Sequence, residues 1–239
     1  MITFSRAILF FFFSASFAQR CAANDEQVIL VHGLCRSSQS MQVMERYLKA
    51  SGYQVLNLNY PSRSASIKQL SDNFIGKAVQ QCLVEGAGKI HFVTHSMGGI
   101  LVRSYLKRHR VPQLGKVVML APPNQGSEVV TRLGSWKLFQ WINGPAGGEL
   151  GITEHSTPRS LGRADFPLGV IAGSRSINWI NSLIISGADD GKVSIEHTKV
   201  AGMNDHLVIK TAHPFIMNHH DACEQTVHFL RHSHFFHRS

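Results

Sequence analysis

The sequence predicts an α/β domain built on a mostly parallel sheet of about six strands flanked by helices. Three observations predict it. Short apolar runs alternate with helix-period stretches from residue 27 to residue 231. The runs are continuously apolar rather than alternating, as strands covered on both faces require. At 239 residues, 44% of them hydrophobic, the chain is long enough to enclose one sizeable core.

Each element follows from local pattern. "QVILVHG" (27–33) reads as a buried strand. The next stretch, "SMQVMERYLKASG", places Met41, Met44 and Leu48 on one helical face, and Gly52 stops the helix. "YQVLNLNYP" is the second strand. Ser66 opens a helix with Gln69 three residues on, a capping-box spacing, and Ile67, Leu70, Phe74, Ala78 and Cys82 form its apolar stripe. "KIHFVTH" is the third strand, followed by a helix to about His109. "KVVMLAPP", "PLGVIAG" and "HLVIKTAH" (206–213) are the fourth to sixth strands. "DACEQTVHFLRH" closes the chain as a helix with Cys223, Val227 and Leu230 inward.

A single domain is therefore expected over 24–231, followed by a frayed basic tail over 232–239. The alternation breaks between about 123 and 166, where "SEVVTRLGSWKLFQWIN" and "GPAGGELG" suggest a small lid-like insertion. Its Trp136, Phe139 and Trp141 are expected to cover or line an apolar pocket.

The first residues, "MITFSRAILFFFFSASFA", carry Arg6, an apolar core and small residues up to Ala18, the pattern of a secretory signal over 1–18. The apolar core is short of the ~20 residues a membrane-spanning helix needs. Export to the periplasm or medium is the expectation, with tethering by an uncleaved segment as the alternative. The formal net charge of +9 suits peripheral contact with an anionic membrane. The basic residues are scattered, so no nucleic-acid partner is expected, and a monomer is. The one basic run, "RSYLKRHR" (103–110), reads as a solvated helix end. Cys21, Cys35, Cys82 and Cys223 match no metal-ligand spacing, and their pairing stays open. Cys82 and Cys223, on apolar helix faces, are expected as buried thiols.

The chemistry centres on "FVTHSMGGIL" (92–101). Ser96 ends an apolar strand and starts a helix, and Gly98 and Gly99 follow it. A nucleophile raised on so sharp a turn needs small neighbours, and the helix's first amides favour a developing negative charge. The full elbow pattern has glycine two places before the serine, where this chain has Thr94. His32-Gly33 at the end of the first strand suits an oxyanion-hole loop, with Leu34 and Met97 supplying the amides. His95 and Gly98 support the elbow. In "SGADDGKVS", Asp190 is the candidate acid and Asp189 its competitor. Of 14 histidines, His213 lies just past the last strand, where sites in parallel sheets collect. It is preferred over His206, His219 and His220. His232, His234 and His237 read as part of the solvated tail, with a weak metal-binding tract as the alternative.

Taken together, "VILVHGLCRSSQSM", "YPSR", "FVTHSMGGILVR", "LAPPNQGSE" and "GADDGKVS" resemble the lipase-like branch of the α/β-hydrolases, the secreted bacterial lipases and esterases in particular. The resemblance runs from about 27 to 231. It implies a compact hydrolase core, a Ser96–Asp190–His213 triad and an oxyanion hole at Leu34 and Met97. It implies hydrolysis of lipid or other small acyl esters without cofactor. Some such lipases hold calcium near the catalytic histidine. Here "HPFIMNHH" has no acid directly after His213, so no metal is expected. Acyl transfer or thioester cleavage would use the same residues, and a catalytically silent binding protein is the alternative that Thr94 favours.

Overall fold

A computed structural model describes residues 25–133, 136–176, 185 and 187–237 of the chain. The expected leader and Cys21 lie outside them. Six strands form one sheet: β1 (Glu26–Val31), β2 (Gln54–Leu58), β3 (Lys89–His95), β4 (Leu114–Leu120), β5 (Leu168–Gly173) and β6 (Asp205–Ile209). Their spatial order is β2-β1-β3-β4-β5-β6, and every pairing is parallel. β6 is shorter than its sequence pattern suggests. It ends at Ile209, and His213 opens a 3₁₀ turn over His213–Asn218.

The apolar strands divide between two cores because successive side chains leave a strand on opposite faces. Ile29 and Val31 of β1 enter one core with Phe92, Ile100 and Val117. Val28 and Leu30 enter the other with Met44, Leu48 and Phe229. Helix α1 (Gln42–Ala50) buries Met44 and Leu48 as its periodicity requires. The capping box at Ser66 and Gln69 forms and starts α2 (Ile67–Leu70). A π-helical segment, Ser71–Ile75, then separates α2 from α3 (Gly76–Val84), which the periodicity alone does not show.

Helix α4 (Met97–Leu106) is buried through most of its length. Its basic end differs from the expectation of solvated charge. Arg108 and His109 pair with Asp72, but Arg103 is only 3% exposed. Its Nη1 donates to the backbone and side-chain oxygens of Asn124 at 3.1 Å, and its Nη2 to Gly162 O. Burial pulls the guanidinium's pKa down to about 10. Because Asn124 also donates to Thr198 O, Arg103 ties the start of the insertion to the loop before β5 and to the segment before β6.

The insertion consists of α5 (Glu128–Leu133), α6 (Lys137–Gly148) and α7 (Thr157–Ser160). The backbone kinks inside α6 at Gly144, whose φ is +66°. A side chain there would meet Arg63 O at 2.2 Å, so the kink needs glycine. The chain then passes through α8 (Ile195–Thr198) and ends in α9 (His220–His232). The three described cysteines, Cys35, Cys82 and Cys223, are free. Burial pushes the thiols of Cys82 and Cys223 up to about 11.

In the tail expected to fray, the described residues 232–237 are anchored at one point. Phe235 is 1% exposed and lies against Phe229 with ring centroids 5.0 Å apart. Its N–H donates to Asp205 Oδ2 at 2.7 Å, and His237 bonds the same carboxylate. A single aromatic side chain filling the second core outweighs the polar composition of its neighbours. No helix among the described residues is long and apolar enough to cross a membrane.

Candidate active site

Between β1 and β3 the strand order reverses direction, since β2 follows β1 on one side and β3 returns to the other. At such a point the loops beyond the strand ends diverge and leave a crevice. Val31 and Thr94 are partners in register, so His32-Gly33 and His95-Ser96 emerge side by side. This brings the two motifs, over sixty residues apart in sequence, into one place.

Ser96 has φ +52° and ψ −124°, a strained backbone conformation for a residue with a side chain. Its N–H is held by Leu120 O at 2.9 Å. The neighbours show why the turn needs glycines. A Cβ at Gly98 would lie 2.5 Å from Val31 O and 2.8 Å from His32 O. One at Gly33 would lie 2.9 Å from His95 Nδ1 and 3.1 Å from Ser96 Cβ. Thr94, at the place where the full motif has glycine, is buried with its hydroxyl toward Gly99. A Cβ at residue 99 would stand 3.2 Å from that oxygen. Glycine on the far side of the turn thus makes the room that Thr94 takes.

Ser96 Oγ lies 3.0 Å from His213 Nε2, and His213 Nδ1 lies 2.7 Å from Asp190 Oδ2. A carboxylate can only accept, so Nδ1 carries the hydrogen and Nε2 is left to accept the serine proton. Asp190 is 1% exposed. Its Oδ1 accepts from the N–H groups of Lys192 and Val193 at 3.0 and 2.9 Å. His213 N also donates to Asp190 O at 3.0 Å, locking acid and base together at two points. Asp189 turns the other way: its Oδ1 takes the Gly191 N–H and it pairs in a bridge with Ser194. Of the two aspartates left open by the sequence, Asp190 is the one whose carboxylate meets His213 Nδ1. His206 bonds Thr198 Oγ1 at 2.9 Å, and His219 and His220 begin α9, so none of these three takes the place of His213.

Two other histidines shape the site. His32 stacks on Tyr60 with ring centroids 4.1 Å apart, and its Nδ1–H donates to Gly33 O. Burial lowers its pKa. Tyr60 Oη donates to His32 O at 2.7 Å, and Ser62 Oγ accepts from Cys35 N at 3.0 Å. Those contacts assign roles to the "YPSR" stretch that its sequence does not disclose. They fix the loop on which Leu34 sits. His95 is 2% exposed and its Nε2–H donates to His213 O at 3.1 Å. Desolvation, followed by the nearby His213, holds its pKa well below the usual imidazole range.

His32, His91, His95 and His206 all have pKa values lowered from 6.5, chiefly by burial. Below that pH the unfolded chain binds protons that the folded one refuses, so stability is complete above it and declines as acid is added. The urea midpoint is expected to fall as the pH drops below 6.5, and His95→Gln should shallow that decline. An unchanged pH profile in the variant would refute the assignment.

The triad opens on a cavity of about 490 Å³ lined by Leu34, Val129, Val130, Ile142, Leu150 and Val193. Its size is that of a small-molecule site. The insertion does form part of the wall, but not through the expected aromatics. Trp136 and Trp141 face solvent, 63% and 79% exposed, and the side chain of Phe139 lies outside what the structure describes. The branched aliphatic residues that do the lining lack a distinctive sequence signal. Arg36 and Lys192 are the cavity's cationic members.

The family model of palmitoyl protein thioesterases matches residues 27–157, more than half of the sequence. The chain belongs to the palmitoyl protein thioesterase family. In this thioesterase-family chain the match includes Ser96 and the Leu34 loop, whereas Asp190 and His213 lie beyond it and are placed by the structure. Solved structures bear out the fold. The mature form of Bacillus licheniformis lipase BlEst2 has a TM-score of 0.66 at 18% identity, over 87% of this chain and 91% of that one. The metagenomic carboxyl esterase MGS0156 has a TM-score of 0.64 at 18% identity, over 82% and 66%. Phospholipase PlaB from Legionella pneumophila has a TM-score of 0.60 at 19% identity, over 73% and 45%. The sheet and its flanking helices are therefore those of the α/β-hydrolases that include lipases and esterases.

Proposed function

We propose that this protein cleaves esters or thioesters of apolar acyl groups through an acyl-enzyme on Ser96. One observation carries the reading: an unbroken chain of hydrogen bonds from Asp190 through His213 to Ser96, ending in an aliphatic cavity. His213 Nε2 takes the hydroxyl proton as Ser96 Oγ attacks the acyl carbon, and Asp190 keeps the imidazole in the required tautomer. The oxyanion is received by the amides of Leu34 and Met97, each worth about 3 kcal/mol in comparable sites. Leu34 lines the cavity beside Ser96, and Met97 starts α4, where the first amides have no partner within the helix. His213 returns the proton to the departing alcohol or thiol. Water, activated by the same ring, then releases the acid.

The family match favours thioesters among the substrates. A fluorophosphonate probe and a series of p-nitrophenyl esters and acyl thioesters of rising chain length test the proposal. Labelling of Ser96 and faster turnover of medium or long chains are expected. An unlabelled Ser96 would instead support a silent binding protein. Trp136 and Trp141, exposed on the insertion that forms part of the cavity wall, support contact of the insertion with an anionic membrane. Flotation with anionic vesicles tests it, and binding indifferent to salt would count against it.

A further inference from the structure

Three imidazoles gather where α9 ends. His228 and His232 lie one turn apart on the helix, with ring centroids 4.5 Å apart. The chain then reverses at Ser233, whose φ is +66°, and brings His234 back to 5.1 Å from His228 and 6.0 Å from His232. The sequence alone reads His232 and His234 as part of a solvated end, with a weak metal-binding tract as the alternative. The packing of the tail makes them a cluster. Phe235 is anchored in the core, and Phe236 is paired with Gln225 through both its N–H and its C=O, each at 2.8 Å. His234 is therefore held from its C-terminal side.

The ring nitrogens are already sorted. His228 Nδ1–H donates to His234 O at 2.9 Å, and His234 Nδ1–H donates to Phe235 O at 3.1 Å. Only the protonated nitrogen can make such a bond, so each ring has Nε2 as its bare acceptor. Metal-ligating histidines are typically oriented in this way, by a carbonyl on the other nitrogen. The position past the last turn of α9 also suits a cation.

We propose that His228, His232 and His234 form a surface site for a divalent transition metal of the zinc, nickel or copper type, separate from the Ser96 cavity. Imidazole donors at this i, i+4 spacing select such metals over calcium or magnesium, which require oxygen. As placed, the donor nitrogens of the three rings do not all lie within 4.8 Å of one another, so binding requires the exposed His232 ring to turn toward the other two. A bound ion would clamp the tail to α9 without touching the triad.

Calorimetric titration of the full chain, free of any affinity tag, with ZnCl₂ alone tests the proposal. One equivalent should bind in the micromolar range, and His228→Ala and His232→Ala should each weaken it at least about tenfold. His220→Ala should leave it unchanged, although His220, Asp221 and Glu224 form an exposed group at the other end of α9. Zinc-free unfolding midpoints of the two tail variants should match the parent, showing that lost binding is not lost folding. Binding no tighter than millimolar, or binding abolished by His220→Ala and kept by His232→Ala, overturns the assignment.

Discussion

Ser96→Ala is expected to lower kcat/KM on p-nitrophenyl esters by about 10⁴-fold or more while the protein stays folded. The loss is large because no other group can form the acyl-enzyme, and because the remaining members of a triad have little to act on once the nucleophile is gone. The substitution removes one hydroxyl whose described partner is His213 Nε2, at 3.0 Å. The strained φ of +52° stays with the backbone, where the Leu120 carbonyl and the two cores hold it. A weak residual rate from the oxyanion amides and the cavity should remain. If wild type and Ser96→Ala hydrolyse the esters equally slowly, with matching circular dichroism, the catalytic reading fails.

Asp190→Asn should cost a comparable amount, about 10⁴-fold in kcat on the precedent of other triads, and Asp189→Asn should cost little. At 190 the amide oxygen can still accept from Lys192 and Val193, so the loop keeps its shape. The amide nitrogen then faces His213 Nδ1 and donates to it, which moves the ring hydrogen to Nε2, where it repels the serine hydroxyl. Asn at 189 can keep the Gly191 bond and leaves the Asp190–His213 bond in place. Steady-state kinetics of the pair decide the matter. A larger loss at 189 than at 190 would contradict the geometry.

The family relation fits this picture without replacing it. The matched segment ends at residue 157, short of both the acid and the base. The roles proposed for them rest on distances in the folded chain, and the two substitutions above test them directly.

Much of the architecture was legible because it depends on short-range pattern. Strands buried on both faces read as apolar runs. The stripes of α1 and α9 follow helical spacing, and the Ser66–Gln69 cap follows from two residue types at a set distance. Ser96, Gly98 and Gly33 were legible for a related reason: a backbone crowded to 2.5 Å admits only glycine, and that constraint is written at single positions. What failed to show were effects of distant packing. Arg103 looked like surface charge until Asn124 and Gly162 closed around it. Trp136 and Trp141 looked like pocket residues, yet Val129, Val130 and Leu150 face the cavity.

By itself, then, the sequence determined the α/β class, the strand-to-helix turn that raises Ser96 and the residue types able to serve it, since each rests on local sterics and periodicity. Only the tertiary structure decided which aspartate meets His213, what lines the cavity beside Ser96 and that Phe235 docks into the core. Those outcomes depend on which side chains the sheet order brings together across many intervening residues, and loop closure over such spans leaves no local mark in the chain.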